Sequence, residues 1–218
     1  MVTQSRWRTL GADDAERAPS GDPDRSRRRL GDARLDPSCE PARRQVLELL
    51  DAHGAELADR TCAPGHLTGS ALVVEEGTGR MLVLFHRKLQ RWLQPGGHAD
   101  GDHELAGVAL REATEETGID DLRVVVPAVD LDIHEVEHGD ALGAHLHLDL
   151  RFLVLAPRGS VPEGNHESEA LRWVDLDELR ELADETGILR LAARGSEAFA
   201  EVEAAVETEV RAADELGD

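Results

Sequence analysis

"GGHADGDHELAGVALREATEETGI", residues 96–119, places Glu112, Glu115 and Glu116 within five residues of one another, in a chain whose formal charge is already −21. At ~100° per residue these three carboxylates share one helical sector about 100° wide. Ala106, Ala109, Leu110, Ala113 and Thr117 form a separate apolar stripe, and Gly118 suits the helix end. Like charges at three- and four-residue spacing disfavour an isolated helix by roughly 0.2–0.5 kcal/mol per pair. Acids near the C-terminal end also oppose the helix dipole. The arrangement is locally unfavourable, which implies a compensating cation. Oxygen ligands without cysteine favour a hard ion, Mg²⁺ or Mn²⁺. A solvated face on an acidic protein would show the same charge pattern, so the spacing must decide.

Around this helix the pattern is one of mixed strands and helices. "GSALVVEEGTGRMLVLFH" (69–86) has two apolar runs about Gly77-Thr78-Gly79, a hairpin signal. "RKLQRWLQPGG" reads as a loop, and "LRVVVPAVDLDIHEVE" as strand interrupted at Pro127. "HLHLDLRFLVLAP" is the clearest alternation: Leu146, Leu148, Leu150 and Phe152 face one way, His145, His147, Asp149 and Arg151 the other. A short strand "LRWV" and a helix from about Asp175 follow the loop "RGSVPEGNHESE". The expected class is α/β (α+β), a sandwich with a mixed sheet.

Three segments are expected. Residues 1–38 hold eight Arg, six Asp and one Glu with few large apolar residues, which predicts a disordered, solvated arm. Residues 39–195 form the domain, led by a helix over 41–60 with Val46, Leu49, Leu50, His53 and Leu57 on one side. Residues 196–218 carry eight acids and one Arg, with Phe199, Val202, Val206 and Val210 at helical spacing. This tail reads as an acidic amphipathic helix lying on the domain or on a partner, a homodimer among the alternatives.

Forty-five acids against 24 bases, with Lys88 the only lysine, exclude nonspecific nucleic-acid or anionic-membrane binding. There is no ~18-residue apolar run and no signal-peptide pattern at the start. Cys39 and Cys62 are too few and too far apart for a zinc ribbon or disulfide framework. A cytoplasmic protein is expected.

The spacing of Gly97, Arg111-Glu112-Ala113, Glu115-Glu116 and Gly118-Ile119 resembles the Nudix box. The resemblance extends from about His66 to Leu179. It implies a Nudix-type α/β/α sandwich, flanked here by an N-terminal and a C-terminal helix. It also implies a metal-dependent hydrolase that cleaves the pyrophosphate bond of a nucleoside diphosphate linked to another group. The implied metal ligands are Glu112, Glu115, Glu116 and the Gly97 carbonyl, with Arg111 fixing the carboxylates. Metal ions there would reverse the local field for an anionic substrate. The box's first Glu falls on His103. In the family that Glu helps orient the Arg and the carboxylates, a role that Glu104, Asp102 or Asp100 could assume. The departure keeps open a catalytically silent nucleotide-binding or sensor protein. Beside the box, Arg87, Lys88 and Arg91 are candidate phosphate contacts, and His145, His147 and Asp149 a candidate cleft-lining face. Glu167, six residues before Trp173, resembles the extra catalytic Glu of some members, a loop acid that swings in as base.

Overall fold

The computed structural model describes residues 6–137, 144–183 and 186–216, the side chains of 137, 209–210 and 212–216 excepted. In chain order its main elements are β1 (Arg8–Leu10), α1 (Pro23–Asp32), α2 (Glu40–His53), β2 (Gly65–Glu75) and β3 (Met81–His86). Then come β4 (Arg91–Leu93), β5 (Gly96–His98), α3 (Leu105–Thr117), β6 (Arg123–Val126) and β7 (Asp130–Glu137). β8 (Ala144–Ala156), β9 (Ser168–Val174), α4 (Leu176–Leu182) and α5 (Thr186–Leu216) complete it.

Two long strands hold the centre. β2 and β8 run parallel, from Gly65 opposite Leu146 to Glu75 opposite Ala156. Successive side chains leave opposite faces of a strand. Leu67, Ala71 and Val73 therefore join Leu148, Leu150 and Phe152 in one core, with α1, α2 and α3 above them. Leu72 and Val74 join Leu153 and Leu155 in a second core under α4 and α5. The strand order is β1-β6-β8-β2-β3-β4, with β5 on β2, β7 on β8 and β9 on β3. Pairings other than β2–β8 are antiparallel. This is the expected mixed-sheet α/β/α sandwich.

Local chemistry explains the boundaries. The β2–β3 hairpin turns on Gly77 and Gly79, at φ 72° and 69°. Pro127, which has no N–H to give a ladder, lies between β6 and β7. Gly69 lets α3 lie close on β2, because a Cβ there would meet the Leu105 carbonyl oxygen. Thus one glycine in the central strand sets how near the acidic helix approaches the sheet.

The N-terminal expectation is overturned. Over its described part, segment 1–38 is ordered: β1 pairs β6 with Leu10 opposite Val124, and Leu10 and Leu30 are buried. α1 begins with Pro23 after an Asp22 cap and lays Ser26, Arg29 and Leu30 inward. Composition averaged over 38 residues hides a few well-placed apolar groups. It also cannot show that Arg29 finds a buried carboxylate, Glu104, at 2.6 Å.

The helix expected over 41–60 is shorter. α2 ends at His53, Gly54 turns the chain at φ 55°, and a 3₁₀ turn spans Gly54–Ala58, burying Leu57. The boundary expected at 196 falls inside α5, which starts ten residues earlier at Thr186. Phe199 and Val202 pack into the second core, and Val206 is 54% exposed. The tail helix therefore lies on its own domain through Val202. The side chain of Val210 and residues 217–218 fall outside the described residues.

If segment 6–38 is integral to the core, Leu30→Ala should destabilise the protein by about 2–5 kcal/mol. Val161→Ala, at an exposed site, should stay within ~0.5 kcal/mol. Urea unfolding measures both; equal, small effects would return the segment to the surface.

Candidate functional site

The site is built where β5 meets α3. β5 pairs with β2, Gly97 opposite Gly69 and His98 opposite Thr68. Alternation turns Gly97 toward α3, where a Cβ would collide with the Glu112 carboxylate. Gly96 donates its N–H to Glu116 Oε2 at 2.8 Å. Glu112 and Glu116 thus lie against one glycine strand, where a side chain at position 97 would displace Glu112 and one at position 96 would collide with Ser70. Glu115 is on the exposed side of the helix. Asn165 binds its backbone carbonyl at 3.2 Å.

Electrostatics follows burial. Glu116 is 6% exposed. Desolvation pushes its pKa up to about 8, the Gly96 hydrogen bond opposes this, and Glu112, Glu167 and Glu115 add to it. Glu112 is also raised, chiefly by burial, with Arg111 opposing. Desolvated acids that repel one another are a donor set suited to a hard divalent cation. The Gly97 backbone against Glu112 fits the same group. Arg111 donates to the His98 carbonyl at 3.2 Å and to Glu112 Oε1 at 3.0 Å, tying helix to β5.

Glu167 sits near this cluster: its charge acts on both Glu112 and Glu116. Its loop is pinned to the end of α3, where Glu163 N–H donates to the Thr117 carbonyl at 2.9 Å. The Glu167 carbonyl accepts from the Arg87 N–H at 2.9 Å, so the basic loop lies beside it. Arg87, Lys88 and Arg91 are exposed. The structure thus gathers Gly97, Arg111, Glu112, Glu115, Glu116 and Glu167, with the basic loop adjoining.

His145, His147 and Asp149 face elsewhere. Thr68, Ser70, Asp149 and Arg151 leave the sheet on the α5 side, opposite α3. Asp149 is 2% exposed and accepts from Thr68 Oγ1, Ser70 Oγ and Arg151 Nε at 2.9, 2.8 and 2.6 Å. Rather than facing a substrate, it holds a buried ionic network. Arg151 reaches Asp132 at 3.1 Å, and Arg190 of α5 grips Asp130 at 2.8 and 3.1 Å. His147 belongs to a group of imidazoles with His66, His98, His134 and His145. Burial, then the neighbouring imidazoles, pushes its pKa down to about 2. Sequence reading passed over His66, whose place opposite His147 depends on the β2–β8 register.

The model of the NUDIX domain family matches residues 65–194. The chain belongs to the Nudix family. As a Nudix hydrolase it is an enzyme of the pyrophosphohydrolase class. It is similar to a "MutT-like protein" of Streptomyces ambofaciens, 28% identical over 137 residues, which cover 61% of this chain and 79% of that one. Among solved structures, an Ap4A hydrolase of C. elegans in a binary complex is 18% identical, with a TM-score of 0.45 over 62% of this chain and 97% of its own. The NUDIX domain of Shewanella oneidensis NrtR, complexed with ADP ribose, is 18% identical, with a TM-score of 0.44 over 61% and 86%.

The departure from the Nudix box at His103 has a structural cause. His103 is fully buried, its Nδ1 2.9 Å from Ser26 Oγ and its Nε2 3.2 Å from the Ala55 carbonyl. It joins α1 to the turn after α2 and does not face the carboxylates. Glu104 is occupied by Arg29, and Asp100 by Arg60 at 2.7 and 2.5 Å. Of the three acids that could stand in for the missing Glu, Asp102 comes within 3.9 Å of Arg111 and is itself held by the Ser20 N–H at 2.9 Å.

Two outcomes follow. Glu116 binds its proton more tightly folded than unfolded, so its contribution to stability is full below about pH 4.5 and is lost as pH rises through about 8. In chelator-treated protein, the Tm difference between Glu116→Gln and wild type should therefore grow in the variant's favour from pH 5 to 8.5; a constant difference would contradict the raised pKa. His103→Glu should cost about 2 kcal/mol or more, because it sets a buried carboxylate against the Ala55 carbonyl. Unfolding of His103→Glu at wild-type denaturant concentrations would show that the α1 contact is dispensable.

Proposed function

We propose that this Nudix enzyme is a cytoplasmic, Mg²⁺- or Mn²⁺-dependent hydrolase that cleaves the pyrophosphate bond of a nucleoside diphosphate linked to another group. The observation that carries the reading is a pair of carboxylates, half-buried Glu112 and buried Glu116, pressed on the Gly96–Gly97 strand with Glu167 close by. Glu112, Glu115, Glu116 and the Gly97 carbonyl would hold the cation. When bound, it would supply positive charge for the phosphates and make water easier to deprotonate.

The remaining roles belong to the chain. Arg111 keeps Glu112 and β5 in fixed relation, a positioning role. Arg87, Lys88 and Arg91 offer the phosphates a local positive field in an otherwise acidic protein. Glu167, on a loop tied to the α3 end, takes the proton from the attacking water. Its exposed side chain has room to swing toward bound substrate while the loop backbone stays anchored. The imidazole group and Asp149, on the opposite sheet face, have no part in this sequence of events.

The test is a hydrolysis screen over dinucleoside polyphosphates, nucleotide sugars and nucleoside triphosphates with Mg²⁺ or Mn²⁺. Turnover of at least one class is expected, abolished by EDTA. Glu115→Gln and Glu116→Gln should each lower kcat by about a hundredfold or more, as loss of a group stabilising transition-state charge does. Glu167→Gln should lower kcat far more than it weakens substrate binding. Nucleotide binding without turnover would make the chain a sensor, and full activity in EDTA would sink the cation.

A further inference from the structure

Five of the ten histidines converge on the sheet face opposite α3. His66 on β2 lies directly across from His147 on β8, and His147 directly across from His134 on β7. His145, two residues before His147, shares its face, and alternation along β5 turns His98 the same way. Ring centroids are 4.9 Å apart for His66–His98 and for His66–His147, and 5.1 Å for His98–His147. The nearest further ring, His145, is 4.8 Å from His66.

Among the described residues, His66, His98 and His147 are the one group of three metal-ligating side chains whose donor atoms all lie within 4.8 Å of one another. Imidazoles on one Zn²⁺, at about 2.0–2.1 Å from it, stand roughly 3.3 Å apart. Modest side-chain rotation would close the difference. The donors are nitrogen alone, on three strands of a rigid sheet, with His66 buried and the other two half-buried. Nitrogen donors select Zn²⁺ and its borderline neighbours and disfavour Mg²⁺. A polar sheet face of unrelated histidines would have no reason to bring together rings from β2, β5 and β8.

We propose that His66, His98 and His147 form a second metal site for a Zn²⁺-class transition ion, separate from the carboxylates, with His145 the nearest group for a fourth position. It does not rest on the hydrolase reading. Its consequence for that reading is positional. His98 follows Gly97, so one short strand faces the imidazoles on one side and Glu112 on the other. An ion held by His98 would fix the strand on which Glu112 and Glu116 rest, and Arg111 is bonded to the His98 carbonyl.

The test uses the full chain after chelator treatment, with Zn²⁺ alone as titrant by calorimetry, and Co²⁺ as a spectroscopic probe. One site per chain is expected, with a Co²⁺ d–d spectrum of tetrahedral nitrogen type that excess Mg²⁺ does not remove. Glu112→Gln and Glu116→Gln should retain it. His147→Asn should weaken Zn²⁺ by more than the 10- to 100-fold typical of a lost supporting partner. Should His147→Asn not fold, His98→Asn, on the short strand β5, gives the same reading. Absence of Zn²⁺ binding at micromolar concentrations would overturn the proposal. So would binding that survives the histidine changes but is lost in Glu112→Gln.

Discussion

The site depends on the close approach of two glycines of β5 to the carboxylates of α3. Gly97 leaves no Cβ between the strand and Glu112, and Gly96 gives its N–H to Glu116. This contact requires α3 to lie low on the sheet, which Gly69 of the central strand permits. It also requires the helix start to be held from outside. The cost is electrostatic: acids are desolvated beside one another, and burial pushes Glu116 up to about 8. On the proposed reading, a bound cation would offset that cost.

The support comes from the N-terminal segment. Ser26, Arg29 and the Ser20 backbone hold His103, Glu104 and Asp102, three consecutive residues just before α3. Gly107 of that helix lies so close to the strap that a Cβ would meet the Arg17 carbonyl oxygen. The family position for a box Glu has thereby been given to a structural histidine. Of the loop acids around that position, the one that comes within 4 Å of Arg111 is the histidine's neighbour, Asp102, at 3.9 Å. An extension outside the family match thus contributes to the geometry of the family's own loop.

What could be read in the sequence was local. The α3 stripe, its end at Gly118, the hairpin over Gly77 and Gly79, the break at Pro127 and the alternation of β8 all depend on residues a few positions apart, and each appears as expected. The box register carried the family. What could not be read was tertiary. Order in residues 6–38 turns on Leu10, Leu30 and one buried ion pair, which average composition dilutes. Asp149 looked available until the β2–β8 register brought Thr68 and Ser70 against it, beside Arg151 of its own strand. His66 gained meaning the same way, from a residue 81 positions away.

The central claim is that Glu112 and Glu116 on the Gly96–Gly97 strand are a cation site. Its most direct test is the broadening of backbone amide NMR signals by substoichiometric Mn²⁺, whose effect falls steeply with distance. The account predicts that the Gly96, Gly97, Glu112 and Glu116 amides broaden first in the wild-type chain and are spared in Glu116→Gln. Broadening that begins at the acidic surface of α5, with the Gly96 and Gly97 signals unaffected, would contradict it.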